Sequence, residues 1–296
     1  PGGHPPRGGD DVSTVTFPGL GLTFHLNRVA ISIGSFDIYW YGIIIGLGFV
    51  LGGAFCCLQA PKFGLRADDI LDTLLFAGPI GIVGARIYYI VFNPSLYLNA
   101  DGGLNLKACL NVHNGGLAIY GGIIFGVLTA WVVARYKKIP FPVLIDGFAF
   151  GLLIGQMAGR WGNFFNVEAY GGETTLPWRM GIEDVVGGVT RYMEVHPTFL
   201  YASLWNLLGL CLLLFVLYKG FRKFDGILFL LDLAWYGFGR GLIESLRTDS
   251  LYFFGTGIRT SQMVGFVSCA IAVVIILWKL RQKPDRRDLY VNKKKV

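Results

Sequence analysis

The chain has 296 residues, 53% of them hydrophobic and only 15% charged, with 42 glycines and 23 phenylalanines, and its mean hydropathy is +0.54. A soluble domain carries about 25% charged residues, so a soluble enzyme is excluded, and the formal charge of +7 fits the basic side of a membrane protein without any nucleic-acid partner. Cys56, Cys57, Cys109, Cys211 and Cys269, with the scattered His4, His25, His113 and His196, form neither a disulfide framework nor a metal spacing, so no metal is expected.

Residues 1–16, opening Pro-Gly-Gly-His-Pro-Pro, lack the apolar core of a signal peptide and are expected to be a disordered extension. From Phe24 to Ile33 apolar and polar residues alternate, which suits a short strand or surface segment. Apolar blocks follow at about 38–58, 70–93, 116–135, 143–160, 197–218, 227–245 and 262–280, each close to the roughly 20 residues that cross a bilayer. Seven crossings put the termini on opposite sides. The odd-numbered blocks are followed by Lys62 and Arg66, by Arg135, Lys137 and Lys138, by Lys219, Arg222 and Lys223, and by eight Lys and Arg between 279 and 295. Basic residues accumulate in cytoplasmic loops, so the amino terminus is expected outside and the carboxyl terminus inside. The expected fold is therefore an all-α polytopic membrane protein of about seven transmembrane helices. Its transmembrane domain would span 17–282, and a basic cytoplasmic tail 283–296. The segment 161–196, too apolar for a free linker, would form a small extracytoplasmic head.

Polar residues at the ends of such blocks, or inside them, are costly and usually functional. Arg160 closes the fourth block and is followed by Asn163 and Glu168, with Gly159 and Gly162 thinning the backbone beside it. Arg240 lies inside the sixth block, four residues before Glu244, a spacing at which the two can pair on one helical face. Tyr236 and Arg247 extend that stripe by a turn at either end, as if lining a cavity. Tyr41, in Tyr39-Trp40-Tyr41-Gly42, reads on spacing alone as interfacial aromatic belt. Tyr120 sits among four glycines that permit close helix packing. Arg86, deep in the second block, either reaches a surface or sustains a helix contact.

The run Gly159-Arg160-Trp161-Gly162-Asn163-Phe164-Phe165-Asn166-Val167-Glu168-Ala169-Tyr170-Gly171 resembles the signature of the prolipoprotein diacylglyceryl transferases of the bacterial plasma membrane. The likeness continues through Trp40-Tyr41-Gly42, the Gly116-to-Gly122 run, His196-Pro197-Thr198-Phe199-Leu200-Tyr201, and Tyr236-Gly237-Phe238-Gly239-Arg240 with Glu244 and Arg247-Thr248-Asp249. The resemblance implies a multi-pass cell-membrane enzyme, without a cofactor, whose active site faces the extracytoplasmic side. Such an enzyme moves the diacylglyceryl unit of phosphatidylglycerol onto the lipobox cysteine that follows a prolipoprotein signal peptide. A thioether forms and glycerol phosphate leaves, the first step of lipoprotein maturation. The resemblance maps the family's essential arginines onto Arg160 and Arg240, and its signature Asn and Glu onto Asn163 and Glu168. It maps other recurrent polar residues onto Tyr41, Tyr236, Glu244 and Arg247. Tyr120 stands where many members have His, a proposed general base, while Val167 and Ala202 stand where Gln and Glu are expected.

This chemistry explains the inventory. A thiolate displaces a phosphate-linked oxygen from a saturated carbon, so charge builds on the leaving phosphate, and forked guanidinium donors suit that anion in a poorly hydrated site. Arg160 and Arg240 are expected to hold the phosphate, Glu244 to orient Arg240, and Arg247 to guide headgroups. Either Tyr120 or Glu168 would accept the thiol proton. A transporter would instead show two similar halves, and an intramembrane protease would need partners for Asp146 or Ser203; neither pattern is found.

Overall fold

The computed structural model describes residues 12–34, 36–98, 103–111, 115–186, 189–249, 252 and 257–293. In chain order they form β1 (Ser13–Phe17), β2 (Leu22–Leu26), β3 (Val29–Ile33), β4 (Phe36–Tyr39), α1 (Trp40–Gln59), α2 (Ala67–Phe92), α3 (Leu106–Leu110), α4 (Ile119–Tyr136) and α5 (Phe141–Asn166). These are followed by β5 (Met180–Val186), β6 (Val189–Val195), α6 (Thr198–Tyr218), α7 (Ile227–Glu244), α8 (Thr260–Arg281) and α9 (Tyr290–Lys293). The chain is mostly helical, and among the described residues α1, α2, α4, α5, α6 and α8 are long and apolar enough to cross a membrane. The expected seventh span corresponds to α7, whose 18 residues include Asp232, Arg240 and Glu244. Three ionisable groups take it out of the set that length and composition alone mark.

The all-α expectation is corrected by six strands. A four-stranded sheet runs in the order β2-β1-β5-β6, and β3 pairs with β4. The expected disorder over 1–16 also fails at its end, because Ser13–Thr16 belong to β1; residues 1–11 lie outside the described ones. In β1 alternate side chains turn inward, burying Val15 and Phe17, and β1 pairs antiparallel with β5 through Val15 and Ile182. That contact joins segments more than 160 positions apart, which a local pattern cannot announce. A further difference concerns α5, which runs unbroken to Asn166, so Trp161–Asn166 are helical and the non-helical part of 161–196 starts at Val167.

The chain divides into two compact units, one made of Pro1–Ala54 with Ala149–Arg286 and the other of Phe55–Phe148 with Arg287–Val296. In the first, the sheet buries Val15, Phe17, Leu26, Met180, Ile182 and Val195 against Phe164 of α5 and Phe199 of α6. Helices α6 and α7 interlock through two stacked indoles, Trp205 and Trp235, with centroids 4.4 Å apart. Each donates to the other's carbonyl, Trp205 Nε1 to Trp235 O at 2.9 Å and Trp235 Nε1 to Trp205 O at 2.8 Å. Trp205 lies over Gly239, and Trp235 lies where a β-carbon on Gly209 would come within 2.5 Å. Helix α8 approaches α7 as closely, for a β-carbon on Gly237 would meet the Gly265 carbonyl oxygen at 2.5 Å. Such small-residue contacts are how helices associate where lipid removes the hydrophobic drive.

In the second unit α2 packs on α4, and Lys137, just beyond α4, reaches Asp69 Oδ1 at 3.0 Å and Asp72 Oδ2 at 2.5 Å near the start of α2. Arg86 resolves the two readings open for it. Its Nε donates to Cys109 O, Nη1 to Gly115 O and Gly116 O, and Nη2 to Ala108 O and Asn111 O, all at 2.7–2.9 Å. A guanidinium has five N–H donors, and all five are spent on the carbonyls of α3 and the loop to α4. Gly115 and Gly116, at φ 81° and 80°, supply the left-handed backbone that turns two of those carbonyls inward. The expected basic tail contains the short α9, where Lys293 Nζ lies 3.4 Å from Asp288 Oδ1.

Candidate active site

The last two turns of α5 carry Arg160 and Asn163 on one face. Arg160 Nη1 donates to Asn163 Oδ1 at 3.4 Å, and Asn163 Nδ2 donates to Glu168 Oε1 at 2.9 Å. Asn166 Nδ2 adds a second donor to the same oxygen at 3.2 Å. Glu168 stands between Val167 at φ 50° and Ala169 at φ 59°. Left-handed backbone is unfavourable for both residues, most of all for the β-branched valine, and costs on the order of 1–3 kcal/mol each. Neighbouring bonds hold it: Glu168 N donates to Asn163 O at 3.1 Å, and Thr198 Oγ1 donates to Ala169 O at 2.5 Å. Strain of this kind, kept in place by its surroundings, presents the exposed Glu168 carboxylate toward the asparagines of α5.

The stripe expected on α7 is present. Arg240 Nη2 lies 2.8 Å from Glu244 Oε2, and Arg247 Nη1 lies 3.7 Å from the same oxygen. The Glu244 side chain is 2% exposed, and Oε2 makes no aligned hydrogen bond, so charge rather than directed bonding holds it between the two guanidiniums. Arg247 forks onto Asp249, Nε to Oδ1 at 2.9 Å and Nη2 to Oδ2 at 2.7 Å. Burial alone would lower Arg247 and raise Asp249, but their mutual hydrogen bonds and charges win, holding the guanidinium above its ordinary range and the carboxyl below its own. From α8, Gln262 Nε2 donates to Gly241 O at 3.0 Å and Arg259 Nη1 donates to the Glu244 carbonyl, closing the C-terminal end of α7. Two further contacts bring the Glu168 segment alongside: Gly171 bridges to Arg247, and Gly172 N donates to Leu246 O at 2.8 Å.

These two lines of residues meet. One cleft among α5, α6 and α7 is lined by Arg160, Ala202, Trp205, Asn206, Tyr236, Gly239, Arg240 and Ile243, so both arginines, from separate helices, share a single space. Among the described residues Arg160 forms no ion pair, and Glu244 is shared by Arg240 and Arg247, which leaves positive charge facing the cleft. An anion with several oxygens would complete it. The free space is about 10 Å³, room for one water-sized group.

Tyr41 joins this group: its ring lies over Gly162, where a β-carbon would come within 2.6 Å, so the narrow helix face read from the sequence is what admits it. Tyr120 belongs to the second unit, where its ring centroid is 6.5 Å from that of Tyr88. The structure adds residues that sequence reasoning passed over. Trp205 and Asn206 of α6 line the cleft, Asp249 anchors Arg247, and Arg259 and Gln262 close α7. Asn206 had a signal, a carboxamide inside an apolar block; Trp205 was one apolar residue of the same block, and Asp249 entered only as part of the Arg247-Thr248-Asp249 motif.

Comparison with known proteins bears on what this constellation is for. Residues 28–278 match the family model described as prolipoprotein diacylglyceryl transferase. The chain belongs to that family. Its similar relatives include three proteins named phosphatidylglycerol–prolipoprotein diacylglyceryl transferase. That of Clostridium perfringens is 38% identical over 90% of this chain and 100% of its own length. That of Finegoldia magna is 41% identical over 89% and 99%, and that of Bacillus cytotoxicus 40% identical over 90% and 98%. The span matching the prolipoprotein diacylglyceryl transferase model contains every candidate residue from Tyr41 to Arg247, whereas β1 and β2 precede it.

Proposed function

We propose that this chain transfers the diacylglyceryl group of phosphatidylglycerol to the lipobox cysteine of prolipoproteins, and that its catalytic centre is the cleft shared by Arg160 and Arg240. The observation that carries this reading is the convergence of two guanidiniums, from α5 and α7, on one largely apolar space. In the transfer the cysteine sulfur bonds to the terminal glycerol carbon of the diacylglyceryl unit. The C–O bond to phosphate breaks with its electron pair, and glycerol phosphate departs with the negative charge. Arg160 and Arg240 hold that phosphate and stabilise the charge as it grows. Glu244 fixes Arg240, Tyr236 and Tyr41 position the lipid, and Arg247 receives headgroups at the end of α7.

The thiol, with an ordinary pKa of about 8.5, must lose a proton. We assign its acceptance to Glu168, because Asn163 links its carboxylate to Arg160. Tyr120 is the alternative acceptor. In the bilayer α7 serves as the seventh crossing, its polar stripe turned to the cleft. The charge asymmetry of the loops supports an orientation with the amino terminus, the two sheets and the cleft on the extracytoplasmic side and the basic carboxyl-terminal segment in the cytoplasm, a multi-pass arrangement in the bacterial cell membrane.

Purified protein, phosphatidylglycerol vesicles and a lipobox peptide, followed by mass spectrometry of the peptide, test this directly. A diacylglyceryl mass gain on the cysteine is expected with the wild type, and its loss in Glu168→Gln but not in Tyr120→Phe would assign the proton acceptor. The opposite pattern would move that role to Tyr120, and no mass gain with the wild type would overturn the reading.

A further inference from the structure

Four buried side-chain polar atoms among the described residues have no hydrogen-bond partner: Gln156 Oε1, Asn206 Nδ2, Asp232 Oδ1 and Glu244 Oε2. All four belong to α5, α6 and α7, the helices that form the cleft. Glu244 is accounted for by its arginines. Gln156 lies one turn before Arg160 on α5, and Asp232 one turn before Tyr236 on α7, so each shares the helical face of a cleft residue. Asn206 lines the cleft itself and is 2% exposed. A buried amide donor left unpaired carries a desolvation penalty, one that a bound ligand able to accept from it would relieve.

We infer that Asn206 reads a hydroxyl of the lipid headgroup, making it a specificity-determining residue for the uncharged polyol beyond the phosphate. This rests on the transferase reading above and adds the chemical feature by which the donor lipid is chosen. Arg160 and Arg240 already supply charged, forked donors for phosphate oxygens, which leaves the unpaired Asn206 Nδ2 beside them for a neutral acceptor. A hydroxyl oxygen is such an acceptor. Two arginines would also repel a headgroup ending in an ammonium group, so the lining of the cleft favours a terminal group that is polar and uncharged. A site built to bond a hydroxyl rejects an analogue lacking it, because its own buried groups are then left unpaired.

The test compares two donors, phosphatidylglycerol and phosphatidylpropanol, which share the phosphodiester charge and three-carbon headgroup but differ in the two hydroxyls. With the lipobox peptide as acceptor, the wild type is expected to favour phosphatidylglycerol by about tenfold in kcat/KM. In Asn206→Leu that ratio should fall toward one, while the thermal midpoint holds or rises, since leucine removes the unpaired donor. Asn206→Ala provides the same ratio should the leucine variant not fold. A wild-type enzyme indifferent to the hydroxyls, or a preference that survives in both variants, overturns the assignment. Transfer from neither lipid by the wild type would overturn the transferase reading itself, and this inference with it.

Discussion

Arg86 and Arg240 are both arginines within apolar helices, one in each compact unit, and their donors are spent differently. Arg86 is 8% exposed and uses all five N–H groups on backbone carbonyls, with its guanidinium carbon 5.0 Å from the centroid of the Tyr97 ring. Arg240 has one carboxylate partner, Glu244, and otherwise faces the cleft it shares with Arg160. A guanidinium whose donors are exhausted by its own chain can only hold that chain together. One left with free donors beside a second guanidinium is arranged for something that arrives from outside. The number of donors already committed, rather than burial or sequence position, is what distinguishes Arg86 from Arg240 and supports the proposed role of the latter.

Substitution should separate the two roles. Arg160→Ala and Arg240→Ala are expected to lower transfer to the lipobox peptide by about 10²–10³-fold, the usual cost of removing one preorganised donor to a developing anion; thermal unfolding should change little in Arg160→Ala, while Arg240→Ala also loses stability because Glu244 is left buried with only the more distant Arg247. Arg240→Lys should recover only a minor part, because a point charge does not reproduce the fork. Arg86→Met should do the reverse, lowering stability by about 3 kcal/mol or more as five carbonyls lose a charged donor, while the protein that stays folded keeps its turnover. Inactivation by Arg86→Met without loss of stability would instead give Arg86 a part in the chemistry. Glu244→Gln is expected to have an intermediate effect, about tenfold on kcat/KM, because Arg240 loses the charge that fixes it but keeps its own; an effect as large as that of Arg240→Ala would give Glu244 a direct part in the chemistry.

The same contrast marks how far the sequence could be read. Arg160, Arg240 and Glu244 were legible because an ionisable residue at an apolar block needs a reason, and i to i+4 spacing already implied the pair on α7. Arg86 obeyed the same rule and yet is structural. Its partners are backbone carbonyls, which have no letter in a sequence, turned inward by Gly115 and Gly116. The helices were visible in the apolar blocks, but α5 runs on to Asn166, since nothing in Trp161–Asn166 breaks a helix. The sheet was the least legible part. Its central pairing joins β1 to β5 across most of the chain, and β1 begins inside a stretch whose Pro and Gly suggested disorder. Asn206 was overlooked because an amide carries no charge to count, although the cost of burying it obeys the same principle as for arginine.

The smallest effect expected lies at Asp249, which exhausts part of Arg247 as the carbonyls exhaust Arg86. Because its folded pKa is depressed by Arg247, the pairing contributes stability that is fully present above the ordinary carboxylate value of about 4 and is lost as pH falls through the folded value. The carboxylate is half exposed, 50% by side chain, so solvent screening should keep the contribution at about 1 kcal/mol or less. Thermal midpoints of the wild type and Asp249→Asn should therefore differ by a few degrees near pH 7 and converge toward pH 3. A difference that instead grew as pH fell would mean that Asp249 is protonated in the folded protein and that its contact with Arg247 is not an ion pair.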